Sequence, residues 1–138
     1  MLVGHPAYHL EKVQSIMNYA VRLINGRRKY DHVTPLLRDD LHWLRVPQRV
    51  RYKTCLLLYK AINGLSPSYI TSYCLSVSSV QGRSTLRSVA HNRLVIPRSK
   101  TKLGDRSFSA AGPSAWNNLT DFITTATSVA QFKSRLKT

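Results

Sequence analysis

A chain of 138 residues, 43% of them hydrophobic, is long enough for one domain with a real core, too short for two ordinary ones, and too apolar for general disorder. It carries 21 Lys or Arg against 6 Asp or Glu, a formal charge of +15 and a pI near 10.5; the 64 residues from 41 to 104 hold 11 basic side chains and no acidic one. Like charge at that density repels itself and is relieved by a polyanion, of which nucleic acid is the usual one, so RNA or DNA bound through its phosphates is the expected partner. No apolar run approaches the roughly 18 residues of a membrane helix, and MLVGHPAYHLEK lacks the basic start and apolar stretch of a signal peptide. Cys55 and Cys74 fit neither metal spacing nor a disulfide framework and read as reduced thiols. The expected setting is cytoplasm or nucleus, with no membrane partner.

In chain order, Leu10, Val13, Ile16, Ala20 and Leu23 recur at helical steps, widened by Met17, Val21 and Ile24, and predict an amphipathic helix over 7–25. Pro6 suits its approach and Asn25-Gly26 its stop. The run Arg27-Arg28-Lys29 follows, where a helix dipole favours cations. Thr34-Pro35 predicts a short helix, with Thr34 as N-cap, carrying Leu36, Leu37 and Leu41 inward and ending near Trp43.

The segment 47–63, PQRVRYKTCLLLYKAIN, predicts the strongest helix. Val50, Thr54, Leu57, Leu58 and Ala61 share one side; Arg49, Lys53 and Lys60 share the opposite side, extended by Arg45 if the helix starts early. Tyr52 and Tyr59 fall between them. A basic stripe flanked by aromatics suits phosphate contact with stacking; it equally suits a solvated face.

Ser66-Pro67 predicts a short helix to about Tyr73, and 74–92 an irregular basic connector. Leu94-Val95-Ile96 predicts a strand that returns around Arg106-Ser107-Phe108 as a hairpin near 93–109, lined by Arg98, Lys100, Lys102 and Arg106. Gly112-Pro113 predicts a helical turn holding Trp116. Ser128 and Gln131 form a capping box ahead of Val129, Phe132 and Leu136. The expected fold is therefore mainly α, a small helical domain with a short β-hairpin in its C-terminal third. Its first three helices should pack through Leu10, Val13, Ile16, Leu36, Leu41, Trp43, Val50, Leu57, Leu58 and Ala61.

Candidate chemistry is sparse. Asp39-Asp40 is the one carboxylate pair, and polymerases use adjacent aspartates to hold two metal ions. The reverse-transcriptase form is Tyr-x-Asp-Asp in a hairpin turn, whereas here Leu37-Arg38 precede within a helix, so surface charge accounts for the pair better. His42-Trp43-Leu44-Arg45 spells His-x-x-Arg, a fragment of the tyrosine-recombinase signature, without the further Arg and attacking Tyr that chemistry needs. His5 and His9 stand four apart with Pro6 between them and no third ligand evident. No Gly-rich phosphate loop, Ser nucleophile motif or zinc signature is present, so no catalytic residue, metal or cofactor is expected.

Several strings read together: LHWL at 41–44, then VPQRVRYKTCLLLYKAINGLSPSYI, VQGRSTLRS, LVIPRSKTKLGDRSFSAAGPSAWNNL and the closing SVAQFKSRLKT. In this order they resemble the region C-terminal to the polymerase domain of non-LTR retrotransposon reverse transcriptases of the long-interspersed-element, Chicken-repeat type. The opening GHPAYHLEKVQSIMNYAVRLINGRRKYDHVTPLLRDDLHWL is similar to the thumb-like region after the palm; Arg45 departs from the family, which usually has Pro there. The resemblance implies a thumb-like region over 1–73 and a basic connector, hairpin and C-terminal helices over 74–138, together one structural unit and a fragment of a larger polyprotein. It implies contact with template RNA, primer or target DNA. It also implies that the catalytic aspartates lie in an upstream palm, a missing partner, so the chain is not a polymerase by itself. The alternatives from the residues alone are a free-standing recombinase-like enzyme using His42 and Arg45, and a basic interaction scaffold.

Overall fold

The structure, a computed structural model, describes residues 3–81 and 92–137. Its helices are α1 (Ala7–Ile24), α2 (Val46–Ile62), α3 (Ser68–Thr71), α4 (Lys102–Asp105), α5 (Phe108–Asn117), α6 (Asp121–Thr124) and α7 (Val129–Lys137), with a π turn at Leu36–Asp40 and a 3-10 turn at Val77–Ser79. The fold is mainly helical, as the periodicities lead one to expect. No described helix is long and apolar enough to cross a membrane. Of the predicted connector over 74–92, residues 82–91 lie outside the described residues. Two compact units, Gly4–Val50 and Arg51–Thr138, divide the chain within α2, so the residues on either side of position 73 share one unit.

In the first unit α1 stops where expected. Asn25 closes the helix with its main-chain N–H and its side-chain amide, both donated to the Val21 carbonyl at 3.1 and 2.9 Å. Gly26 follows at φ +59, a left-handed conformation a side chain would strain. The core is Val21, Val33, Leu36 and Leu37, with Met17 and Leu41 against it. The expected α1 stripe is corrected: Ile16 is 69% exposed, Leu23 84%, and Val13 and Ala20 are also exposed. The inward line is Leu10, Gln14, Met17 and Val21, with Val21 about 140° around the helix from Ile16 at 3.6 residues per turn. Gln14 explains the choice. Its side-chain oxygen accepts the Val46 N–H at 2.7 Å while its amide donates to Asn18 at 2.8 Å, so a polar residue faces inward with both ends satisfied.

The turn after Val33 also differs from expectation. Thr34 does not cap it; its hydroxyl accepts from the Arg45 guanidinium at 3.1 Å. The wide turn closes through the Leu41 N–H on the Leu36 carbonyl at 3.0 Å and leaves both Leu36 and Leu37 buried. It ends at Asp40, His42 takes φ 49, and Trp43 stays exposed instead of entering the core.

The second unit is built on Cys55, Leu58, Tyr59, Leu94, Trp116, Ala126 and Phe132. Phe132 has no solvent exposure. It stacks on Tyr59 at 4.3 Å and beside Trp116 at 6.0 Å between ring centroids. The polar ends of its neighbours are satisfied: the Tyr59 hydroxyl donates to the Ala126 carbonyl at 2.8 Å and the Trp116 indole to the Asn92 carbonyl at 3.0 Å. α7 starts as predicted: the Ser128 hydroxyl accepts the Gln131 N–H at 3.2 Å, and the Gln131 side-chain oxygen reaches back to the Thr127 N–H at 2.9 Å. α5 begins at Phe108, a turn ahead of Gly112-Pro113, and a Cβ on Gly112 would meet the Phe108 ring at 3.3 Å.

The predicted hairpin does not form. Leu94 makes one isolated antiparallel bridge, to Ser76. Thr101 caps the helical turn α4, Arg106 ends it, and Ser107 precedes α5, so 106–108 is not a return strand. The reason lies in Asn117. Its amide accepts the Leu94 N–H at 2.9 Å and donates to the Leu94 carbonyl at 2.8 Å, occupying the two groups a strand partner would have used.

Two consequences are measurable. Phe132→Ala should cost about 3–5 kcal/mol in denaturant unfolding, while Ile16→Ala, at an exposed site, should stay within about 0.5 kcal/mol. Burial pushes the Cys55 thiol from 9.0 up to about 11, with Arg51 opposing weakly. A raised folded pKa means the unfolded chain loses its proton first, so Cys55 contributes stability below pH 9 that is lost as pH rises through 11. Wild type should lose roughly 2–3 kcal/mol more than Cys55→Ala over that window, measured by urea unfolding at each pH.

Candidate nucleic-acid interface

The charge is unevenly shared. Residues 51–138 carry 13 basic and 2 acidic side chains, whereas 4–50 carry 8 and 4. Two carboxylates cannot neutralise 13 cations, so the second unit carries a large excess of positive charge.

Among the predicted residues, Arg98 and Lys100 are exposed on the segment that leads into α4, Lys102 is exposed at the first position of α4, and Arg106 is half-buried just after it. The segment is anchored at its start. The Asn117 clamp holds Leu94, the Trp116 indole holds Asn92, the Val77 N–H donates to the Arg93 carbonyl at 3.0 Å and the Val95 N–H to the Leu75 carbonyl at 2.8 Å. It is anchored again at Ser99, whose hydroxyl accepts the Thr101 N–H at 3.2 Å, and at Thr101, which accepts the Gly104 N–H at 3.0 Å. A Cβ on Gly104 would come within 2.1 Å of the Ser99 hydroxyl, so glycine permits this close return. The cations thus sit on a backbone whose polar groups are tied down at both ends.

The α2 stripe is less open than its sequence suggests. Arg49 and Lys53 are exposed, but Lys60 is half-buried, and Leu56, which shares their face, packs against the second core. Tyr59 is corrected outright: at 3% exposure, inside the aromatic stack, it cannot stack on a base. Tyr52 is half-buried. Arg45 is exposed but directed to Thr34. Arg27, Arg28 and Lys29 are exposed on a turn closed by the Arg28 N–H on the Asp31 carboxylate at 2.9 Å, with Lys29 over the Tyr30 ring at 5.4 Å.

The alternative chemistries acquire local roles. The His42 ring nitrogen Nδ1 meets the Arg38 carbonyl at 2.9 Å. Asp39 pairs with Arg38 at 2.8 Å, and that hydrogen bond holds its carboxyl below the usual range although both are exposed. The His5 and His9 rings meet edge to face at 6.0 Å, and no group of three or more His, Cys, Asp or Glu gathers among the described residues. Burial raises both the Cys55 and the Cys74 thiols, which disfavours the thiolate a nucleophile requires.

Sequence reasoning missed Asn117, whose partner is 23 residues away, and Arg135, which stacks 4.2 Å over the exposed Phe122 ring and donates to its carbonyl. Neither follows a local spacing rule. No protein-family model matches the chain, and no curated protein or solved structure matches it either.

Asn117→Ala should strand the buried Leu94 main-chain groups and destabilise the second unit by roughly 2–3 kcal/mol. Hydrogen exchange should show the Leu94 amide losing protection while amides within α7 keep theirs.

Proposed function

We propose that the chain is the thumb and post-polymerase part of a non-LTR retrotransposon reverse transcriptase, without polymerase activity of its own, and that it grips RNA or DNA through phosphates. The ordered likeness of its strings to that family supports the first half. The second half rests on one observation above others: Arg98, Lys100 and Lys102 stand exposed on an anchored segment of a unit with 13 basic and 2 acidic residues. Anchoring matters because each cation then loses less freedom on meeting a phosphate. Contacts of this kind are nearly blind to sequence and release counterions, so affinity falls steeply with salt. Arg49 and Lys53 on α2 would add to the grip, with Lys60 and Arg106 contributing less. The place of action is cytoplasm or nucleus, where such a polyanion is met.

The test compares two charge-neutralising variants across unrelated RNA and DNA oligonucleotides. Arg98→Gln/Lys100→Gln/Lys102→Gln should weaken all of them alike and flatten log affinity against log salt by about 2–3 units. Arg49→Gln/Lys53→Gln/Lys60→Gln should flatten it by about 1–2 units, because Lys60 is partly enclosed. Unchanged slopes in both folded variants would overturn the reading.

A further inference from the structure

The surface of α1 carries apolar residues that stand exposed among the described residues. Ile16 is 69% exposed, Leu23 84%, Ile24 59% and Tyr19 57%. Ile16, Tyr19, Ala20 and Leu23 floor a hollow of about 570 Å³ whose remaining lining is Arg22, Arg27 and Lys29. The acidic residue of α1, Glu11, lies about 140° around the helix from Ile16. The floor is thus aliphatic and aromatic and its rim is cationic, while Asp31, in the same turn, is engaged by the Arg28 N–H. The rim is also held in place: the Arg22 side chain donates to the Asp31 carbonyl at 3.2 Å, the Arg27 N–H to the Arg22 carbonyl at 2.8 Å, and the Arg28 N–H to the Asp31 carboxylate.

We propose that this hollow docks an acidic amphipathic helix of a partner protein, whose apolar side chains enter between Ile16, Tyr19 and Leu23 while its carboxylates meet Arg27 and Lys29. Charge complementarity selects this occupant. A second copy of the chain would bring an identical cationic rim against the first. A nucleic-acid backbone would satisfy the rim and leave the aliphatic floor unused. An anionic lipid surface shares that complementarity and is the competing occupant that the vesicle measurement below separates. Grooves of this kind are read by anchors at i, i+3 or i+4, and i+7 of the bound helix. Apolar anchors surrounded by matched charge give both affinity and orientation.

The experiment is selection of a random library of helical peptides on the full chain at physiological salt, in parallel with two variants. Wild type should enrich peptides with Leu, Ile or Phe at those spacings and Asp or Glu within a turn of them. Ile16→Ser/Leu23→Ser keeps every charge and changes exposed positions, with circular dichroism as the check on folding; enrichment should fall about tenfold or more. Arg27→Glu/Lys29→Glu should turn the enriched peptides from acidic to basic. Equal enrichment of acidic peptides by Ile16→Ser/Leu23→Ser would mean charge alone is responsible and would overturn the proposal. So would binding of phosphatidylserine-containing vesicles that needs Ile16 and Leu23 without any patterned peptide being enriched. A dimer in sedimentation that Ile16→Ser/Leu23→Ser dissolves would assign the face to a second copy instead and overturn it equally.

Discussion

The second unit depends on the burial of one ring. Phe132 lies between Tyr59 and Trp116, and each neighbour carries a polar tip that reaches a main-chain carbonyl elsewhere. Through Tyr59 the stack secures Ala126, just before the cap of α7; through Trp116 it secures Asn92, just before the basic segment. Asn117, next along α5, then takes hold of Leu94. A dry aromatic contact and a set of surface cations are in this way one construction, because the residues that bury the ring also fix the starting point of the cations.

The same arrangement explains how the fold can tolerate its charge. Repulsion among 13 cations with 2 carboxylates is a cost spread over the whole unit and moderated by salt. The stabilising terms are local and short-range: an apolar stack, satisfied polar tips and helix caps. Arg135 shows one way a cation is absorbed without an acid. Its guanidinium lies over the Phe122 ring and donates to that residue's carbonyl, so aromatic face and backbone dipole stand in for a carboxylate.

What the sequence discloses follows the range of the interaction. The ends of α1 and α2, the Asn25-Gly26 stop and the Ser128–Gln131 cap depend on neighbours within a turn, and all are legible from spacing. The inward role of Phe132 follows from the face it shares with Val129 and Leu136. The hairpin is misread because the bonds that replace its second strand come from Asn117, 23 residues beyond Leu94. Tyr59 is misread for a related reason: a tyrosine between two helix faces can turn either way, and a carbonyl 67 residues away draws it inward. The candidate cations are legible as residue types. Which of them stand free, as Arg98 does, and which are occupied, as Arg45 is with Thr34, depends on contacts with no sequence period.

α1 shows most plainly where periodicity reaches its limit. Two apolar arcs lie on the helix, one through Leu10, Met17 and Val21, the other through Val13, Ile16, Ala20 and Leu23, and a helical period fits both. By pattern alone the arc through Ile16 has the stronger claim to be a core face, since it is apolar from Val13 to Leu23, with His9 a turn before, whereas Gln14 interrupts the other. The arc through Val21 is the one buried, because Gln14 on its line meets the Val46 N–H, an N-terminal donor of α2 that needs a partner. A side chain that spoils the apolar pattern thus decides the orientation. A helix that answers an internal donor with its less regular arc leaves its more regular arc facing outward. Surfaces of that kind are uncommon on stable monomers unless something is meant to cover them.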